Sequence, residues 1–184
     1  MNKSNFTRMI KLLSFLQLFL FISLISRAQD TTAFPTPTGN SNQLFFLQRS
    51  QNTNTIVYEL NLKEGAMDTT QPVHIFWICY AEKGQREELT GIQRKYAYGL
   101  ETKFISKDRY ELHFLANKKY FVLLMKGVDN KYHVYDTINQ KEVILSRIYL
   151  QLKGGSPLSP KIDYVTLTGI DPDSGKEVFE KKKM

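Results

Sequence analysis

The side chains that could do chemistry are few and widely spaced. Cys79 is the lone cysteine, so it is the one thiol available as a nucleophile, and no intramolecular disulfide can form. His74 is its nearest histidine, an odd number of positions away along one apolar run, and on a strand that spacing sends the two side chains to opposite faces. A Cys–His nucleophile and base would need a bulge there, so the expectation is a buried, inert thiol beside Trp77. The histidines are His74, His113 and His133. Turns predicted at 117–118 and 129–130 set His113 opposite Val122 and His133 opposite Lys126, which puts these two imidazoles on the order of 16 Å apart. Ligands at about 2.1 Å from one zinc ion cannot be so separated, and no metal site is expected. Asp171-Pro172-Asp173-Ser174-Gly175 resembles the start of a calcium loop, but it lacks the third oxygen ligand and the distant Glu and is read as a plain β-turn. No Gly-x-Ser-x-Gly elbow and no Gly-rich phosphate loop occurs, and Glu87-Glu88 pairs carboxylates only at a predicted exposed helix start.

Two polar clusters stand out. Gln48-Arg49-Ser50-Gln51-Asn52-Thr53-Asn54 sets a dense run of hydrogen-bonding groups between two apolar segments, and Gln93-Arg94-Lys95-Tyr96-Ala97-Tyr98-Gly99 lies at the end of the one helical segment. Asn, Ser and Arg in a hairpin loop ordinarily satisfy the backbone. The functional reading is that Arg49, Ser50, Asn52, Asn54, Tyr80, Arg94 and Tyr98 line a rim that holds an anionic or sugar-like ligand by bidentate and stacking contacts. No catalytic residue can be assigned, and no cofactor is implied.

The elements that must position these groups are mostly strands. Runs rich in β-branched and aromatic residues recur at 43–49, 55–62, 73–80, 100–106, 109–116, 119–126, 132–138, 142–152, 162–169 and 176–180. Asn117-Lys118, Asp129-Asn130 and Asn139-Gln140 have the chemistry of tight hairpin turns, so 100–152 reads as a five-stranded antiparallel meander. Leu89, Ile92 and Tyr96 fall at helical spacing between Glu87 and Tyr98, which predicts one short helix ending at Gly99. Runs 73–80 and 119–126 are apolar on both faces, as in covered strands, whereas 55–62 alternates like a half-exposed one. The fold class is therefore mainly β, an antiparallel sandwich or barrel built from a meander, and the patterning does not separate the two.

At 184 residues the chain is long enough for one domain. Lys3, Arg8 and Lys11 precede an apolar run from Leu12 to Ile25 and then Ser26-Arg27-Ala28, the order of a secretory signal peptide. Residues 1–28 are the expected leader, 29–42 a flexible lead-in with Pro35, Pro37 and Gly39, and 43–181 a single β-rich domain. The apolar run falls short of the roughly 20 residues that span a bilayer, so no transmembrane span is expected after cleavage. Without the leader, 21 basic residues face 18 acidic ones, and the formal charge falls from +7 to +3. Both signs are interspersed, and the one dense run, Lys181-Lys182-Lys183, is read as a solvated tail, which argues against nucleic acid as a partner.

The string Leu44-Phe45-Phe46-Leu47-Gln48-Arg49-Ser50 with Asn52, Asn54, Thr55, Val57 and Tyr58, then His74-Ile75-Phe76-Trp77-Ile78, then Gln93-Arg94 and Ala97-Tyr98-Gly99, resembles a small family of exported proteins, domain of unknown function 4833. The likeness covers about 43 to 181, and it implies no activity, substrate or catalytic residue. The residues themselves lead to a periplasmic or secreted chain, a non-enzymatic binding or interaction module of the cell envelope with an unknown ligand or envelope partner. Two other classes stay open: a small-ligand carrier with a barrel cavity, and an enzyme with an unfamiliar carboxylate or Tyr/Arg site.

Overall fold

The computed structural model describes residues 34–38, 41–156 and 159–184, so the predicted leader and much of the lead-in lie outside the described residues. The chain divides between Phe34 and Pro35, and the unit Pro35–Met184 carries the secondary structure that follows. In chain order the strands are β1 (Gln43–Arg49), β2 (Asn52–Leu60), β3 (Leu62–Lys63), β4 (Ala66–Met67), β5 (Val73–Ile78) and β6 (Arg86–Glu88). A helical turn, α1 (Gly91–Gln93), runs directly into a single π turn, Arg94–Tyr98. Then come β7 (Leu100–Ser106), β8 (Arg109–Phe114), β9 (Asn117–Lys126), β10 (Tyr132–Ile138), β11 (Lys141–Ser156), β12 (Ser159–Ile170) and β13 (Glu177–Lys183).

Eleven of these strands form one sheet, strongly curled into a half-barrel, in the order β6-β5-β2-β1-β11-β10-β9-β8-β7, with β12 and β13 added beyond β11. The mainly β class and the meander from β7 to β11 are as the sequence predicts. The sheet is nevertheless mixed rather than antiparallel, because β1 pairs in parallel with β11, Phe46 opposite Arg147 and Arg49 opposite Leu150. Period-two alternation fixes which face a side chain takes but is silent on which strand lies alongside and in which direction. β11 makes this possible by its length: its first residues pair with β10, its middle with β1, and its other edge with β12.

The concave side holds the main core. Phe45, Tyr58, Leu112, Leu124 and Leu145 are fully enclosed there, together with Ile75 and Trp77 from β5. The convex side carries a smaller cross-strand row, Phe46, Val57 and Phe76, which lie opposite one another on β1, β2 and β5. That row corrects the reading of 55–62 as half-exposed: β2 lies between β1 and β5 and is buried on both faces through its middle. Conversely, β9 lies in the open wing, where Phe121 is 43 % exposed, although its sequence looks covered on both sides.

Several local expectations shift for physical reasons. The turn placed at 117–118 comes earlier, because a bulge lets Asn117 pair with Phe114 and His113 with Phe121. The turn placed at 129–130 belongs to a longer loop from Gly127 to Lys131, with Asn130 left-handed and Tyr132 opposite Lys126. Asn139 and Gln140 are both left-handed between the paired Ile138 and Lys141, as a two-residue hairpin requires. Glu87 and Glu88 open no helix; they lie in β6 against Trp77 and Phe76. The helix starts later, at Gly91, where Thr90 and Gln93 form a reciprocal capping box. Lys181 to Lys183 are not a frayed tail but pair with β12, and the Lys181 ammonium lies 3.5 Å from the Tyr164 ring centroid. In the lead-in, Pro37 is buried and the Pro35 carbonyl accepts a hydrogen bond from Gln48 at 2.9 Å.

Candidate functional site

The two polar clusters meet at one rim of the half-barrel. β1 delivers Arg49 at its last position, β5 delivers Trp77 near its end, and the π turn delivers Tyr96, Ala97 and Tyr98. These surround a pocket of about 270 Å³ whose remaining wall is aliphatic, chiefly Ile92, Leu150, Leu152 and Ile162. A neighbouring hollow of about 220 Å³ shares Arg49, Leu152 and Pro160 and is otherwise lined by Ser50, Gln51, Asn52 and the glycines Gly154 and Gly155. The opposite rim carries a wider, more polar concavity of about 570 Å³ between β1, the β3–β4 hairpin and the β9–β10 loop.

Local geometry explains why the first pocket keeps its shape. The Tyr98 ring meets Trp77 edge-on at 5.1 Å, and the Tyr98 carbonyl accepts a hydrogen bond from the buried Tyr58 hydroxyl at 3.0 Å. The π turn packs its backbone tightly at Gly99: a Cβ there would lie 2.0 Å from the Arg94 carbonyl oxygen. The Arg49 guanidinium lies 5.6 Å from the Trp77 ring centroid, and no carboxylate pairs with it among the described residues. Trp77 is 7 % exposed, and its indole N–H has no acceptor among the described residues. Leaving such a donor unsatisfied costs about 1–3 kcal/mol.

The seven residues singled out from the sequence divide. Arg49 and Tyr98 line the pocket, and Arg49, Ser50 and Asn52 line the neighbouring hollow. Ser50 is also structural, its Oγ accepting the Leu152 N–H at 2.9 Å. Asn52 accepts from the Asn54 N–H at 2.8 Å, and Asn54 in turn accepts from the Ala81 N–H at 2.8 Å, tying the β5–β6 loop to the β1–β2 turn. Arg94 turns away to Glu88 at 3.7 Å, and Tyr80 is in neither lining. Ile92 and Tyr96 are rim residues that the sequence marks only as part of a short helix, by their spacing with Leu89. Leu89 is buried, but it precedes the helix, and Ile92 and Tyr96 are each 61 % exposed. Trp77 was legible only as core, and Leu150, Leu152 and Ile162 gave no signal at all.

The polar side chains in this lining are Arg49, Gln93, Tyr96 and Tyr98, a set able to hydrogen-bond a ligand. Burial pushes the Tyr98 phenol up, with Arg49 opposing, which favours its protonated form. Among the described residues no acidic or imidazole side chain lines the pocket.

The other reactive groups are committed elsewhere. Cys79 is buried in the concave core, and its thiol is pushed up by burial, then by Glu87 and Glu82. His74 lies on the convex side, 2.9 Å from both Glu59 and Glu88, while Arg86 donates to Glu59 at 2.6 Å and stacks 3.5 Å over Phe76. His133 pairs with Asp129 at 2.9 Å. In the 171–175 turn, the Asp171 side chain accepts the N–H groups of Asp173 and Ser174. Among the described residues no group of three His, Cys, Asp or Glu side chains is placed to hold a metal ion, and no helix is long and apolar enough to cross a membrane.

His113 gives a pH-dependent prediction. Its hydrogen bond to Glu111, at 2.9 Å, raises the imidazole above the ordinary histidine range against the opposing effect of burial, and the same bond lowers the Glu111 carboxyl. A native value above the unfolded one means the pair stabilises the fold below the ordinary histidine range and ceases to as pH rises through the raised value. An NMR titration is expected to place the His113 midpoint above that of the unfolded chain and to bring it down in Glu111→Gln. Identical midpoints in the two proteins would remove the interaction.

The fold and the pocket define a β-domain built on one curled eleven-stranded sheet, with a small, mostly aliphatic rim pocket. The chain belongs to the family described as Domain of unknown function (DUF4833), whose model matches residues 45–181. No curated protein matches the chain, and no solved structure does.

Proposed function

We propose that this chain is an exported, non-enzymatic binding module of the cell envelope, periplasmic or secreted, that seats a small ligand in the rim pocket between Arg49, Trp77 and Tyr98. One observation carries the siting: the end of β1 and a π turn, far apart in sequence, converge on one concavity lined by Arg49, Trp77 and Tyr98. Its size, about 270 Å³, is near the lower end of the range for small-molecule sites. The export half of the reading is supported by the charged, apolar and small-residue order of residues 1–28. A carrier holding its ligand inside a barrel is less favoured, because Phe45, Tyr58 and Leu112 fill the concave middle.

Trp77 is the only tryptophan, so its fluorescence reports on this pocket alone. Titration with the neutral fluorophore N-phenylnaphthylamine is expected to quench Trp77 saturably while the probe brightens, and Ala97→Phe, which fills the pocket, is expected to weaken binding at least about tenfold. Saturable binding untouched by Ala97→Phe would place the ligand elsewhere, and no binding at all would sink the reading. Export is checked by the mass of the mature protein, expected to begin at Gln29; a full-length product would contradict cleavage.

A further inference from the structure

Resting on the pocket being the binding site, we propose that its ligand is a small amphiphile with a carboxylate head and an aliphatic body. The pocket's side chains supply donors in excess of acceptors. Arg49 is its only charged lining residue and has no carboxylate partner among the described residues. Tyr98 adds a phenolic O–H to the lining, whereas the Trp77 indole nitrogen is enclosed by the protein. The one amide in the lining, Gln93, spends its side-chain oxygen on the Thr90 N–H at 2.9 Å. An acceptor-only anion matches such a set, and the planar guanidinium fork fits a carboxylate in particular.

The body follows from the walls. Ile92, Ala97, Leu150, Leu152 and Ile162 present branched and methyl surface, and of the aromatic lining residues Trp77 and Tyr98 meet edge-on rather than as parallel plates. Ile92 and Tyr96, exposed at the rim one helical turn apart, would be covered by a chain lying across them. A cationic ligand is disfavoured, since it would meet Arg49 with no carboxylate in the lining to offset the repulsion.

The test compares octanoate, octanol and octyltrimethylammonium as displacers of N-phenylnaphthylamine, read by Trp77 fluorescence. Octanoate is expected to bind roughly tenfold or more tightly than octanol, the ammonium weakest, and the octanoate advantage to shrink as salt is raised. Arg49→Gln should lower octanoate affinity about tenfold and octanol affinity far less, with Arg49→Lys in between because a point charge lacks the bidentate fork. Octanol or the ammonium binding as well as octanoate would overturn the carboxylate assignment while leaving the binding site standing. N-acetyl-leucyl-leucine displacing the fluorophore better than octanoate would overturn the aliphatic body in favour of a peptide end. Failure of every alkyl probe while the fluorophore still binds would overturn the ligand class, whereas failure of the fluorophore as well would remove the site itself.

Discussion

Replacing Phe45 with alanine is expected to cost the fold roughly 3–5 kcal/mol, the largest loss from any single truncation considered. Phe45 has no exposure, stacks on Tyr58 with centroids 4.3 Å apart and planes within 9°, and meets Phe114 at 6.2 Å. Phe45 and Tyr58 are opposite one another on β1 and β2, so a single cross-strand pair supplies the centre of the concave core. Truncation loses the buried ring and leaves a cavity walled by Tyr58 and Phe114, whose rigid rings cannot collapse to fill it. At about 2–4 °C per kcal/mol for a chain this long, thermal unfolding should begin roughly 10 °C lower. Phe46→Ala, in the three-residue convex cluster, is expected to cost less. Equal losses at the two positions, measured by denaturant unfolding, would mean that the concave side is not the main core.

Gly99→Ala is expected to destabilise the fold by about 3 kcal/mol, the upper end for overpacking, and to weaken ligand binding with it. The added Cβ would lie 2.0 Å from the Arg94 carbonyl oxygen and 3.0 Å from its carbon, both backbone atoms of the same π turn, with the Leu115 side chain also at 3.0 Å. A side chain could swing away, but a main-chain carbonyl cannot, so the π turn has to open. Gly99 also accepts the Leu115 N–H at 3.0 Å and leads directly into β7, so relief of the clash disturbs the meander edge as well. Because Tyr98 immediately precedes it and packs edge-on against Trp77, the indole emission should shift to the red and N-phenylnaphthylamine affinity should fall. A variant with the wild-type unfolding midpoint and unchanged emission would show that the π turn does not hold the pocket.

These two sites differ in how far the sequence reveals them. Phe45 sits in a short continuous apolar run, Leu44 to Leu47, between a polar lead-in and a turn, which marks it as strand and as core candidate. Gly99 looked like an ordinary helix stop. Its actual constraint is the close approach of the Arg94 carbonyl, which depends on the chain taking a π turn rather than a regular helix. The same contrast separates the two arginines. Arg49 and Arg94 occupy similar polar clusters and were read alike, yet Arg94 reaches Glu88 on β6 while Arg49 lies over Trp77. From sequence Glu88 reads as part of a helix start, whereas in the fold it lies on β6 beside Arg94.

By itself the sequence determined the longer strands, the Asn139-Gln140 hairpin and the five-stranded meander, though not the short β3, β4 and β6, since alternation and turn chemistry act between near neighbours in the chain. It also determined that Cys79 and His74 face apart, because the pleat alternates whatever the strand's partner. Tertiary structure alone decided that β1 lies parallel to β11, that the sheet curls, and that Arg49, Trp77 and Tyr98 enclose one pocket with Leu150 and Ile162. Those outcomes depend on which edges meet after long loops close, and nothing in the local pattern of residues distinguishes one available edge from another.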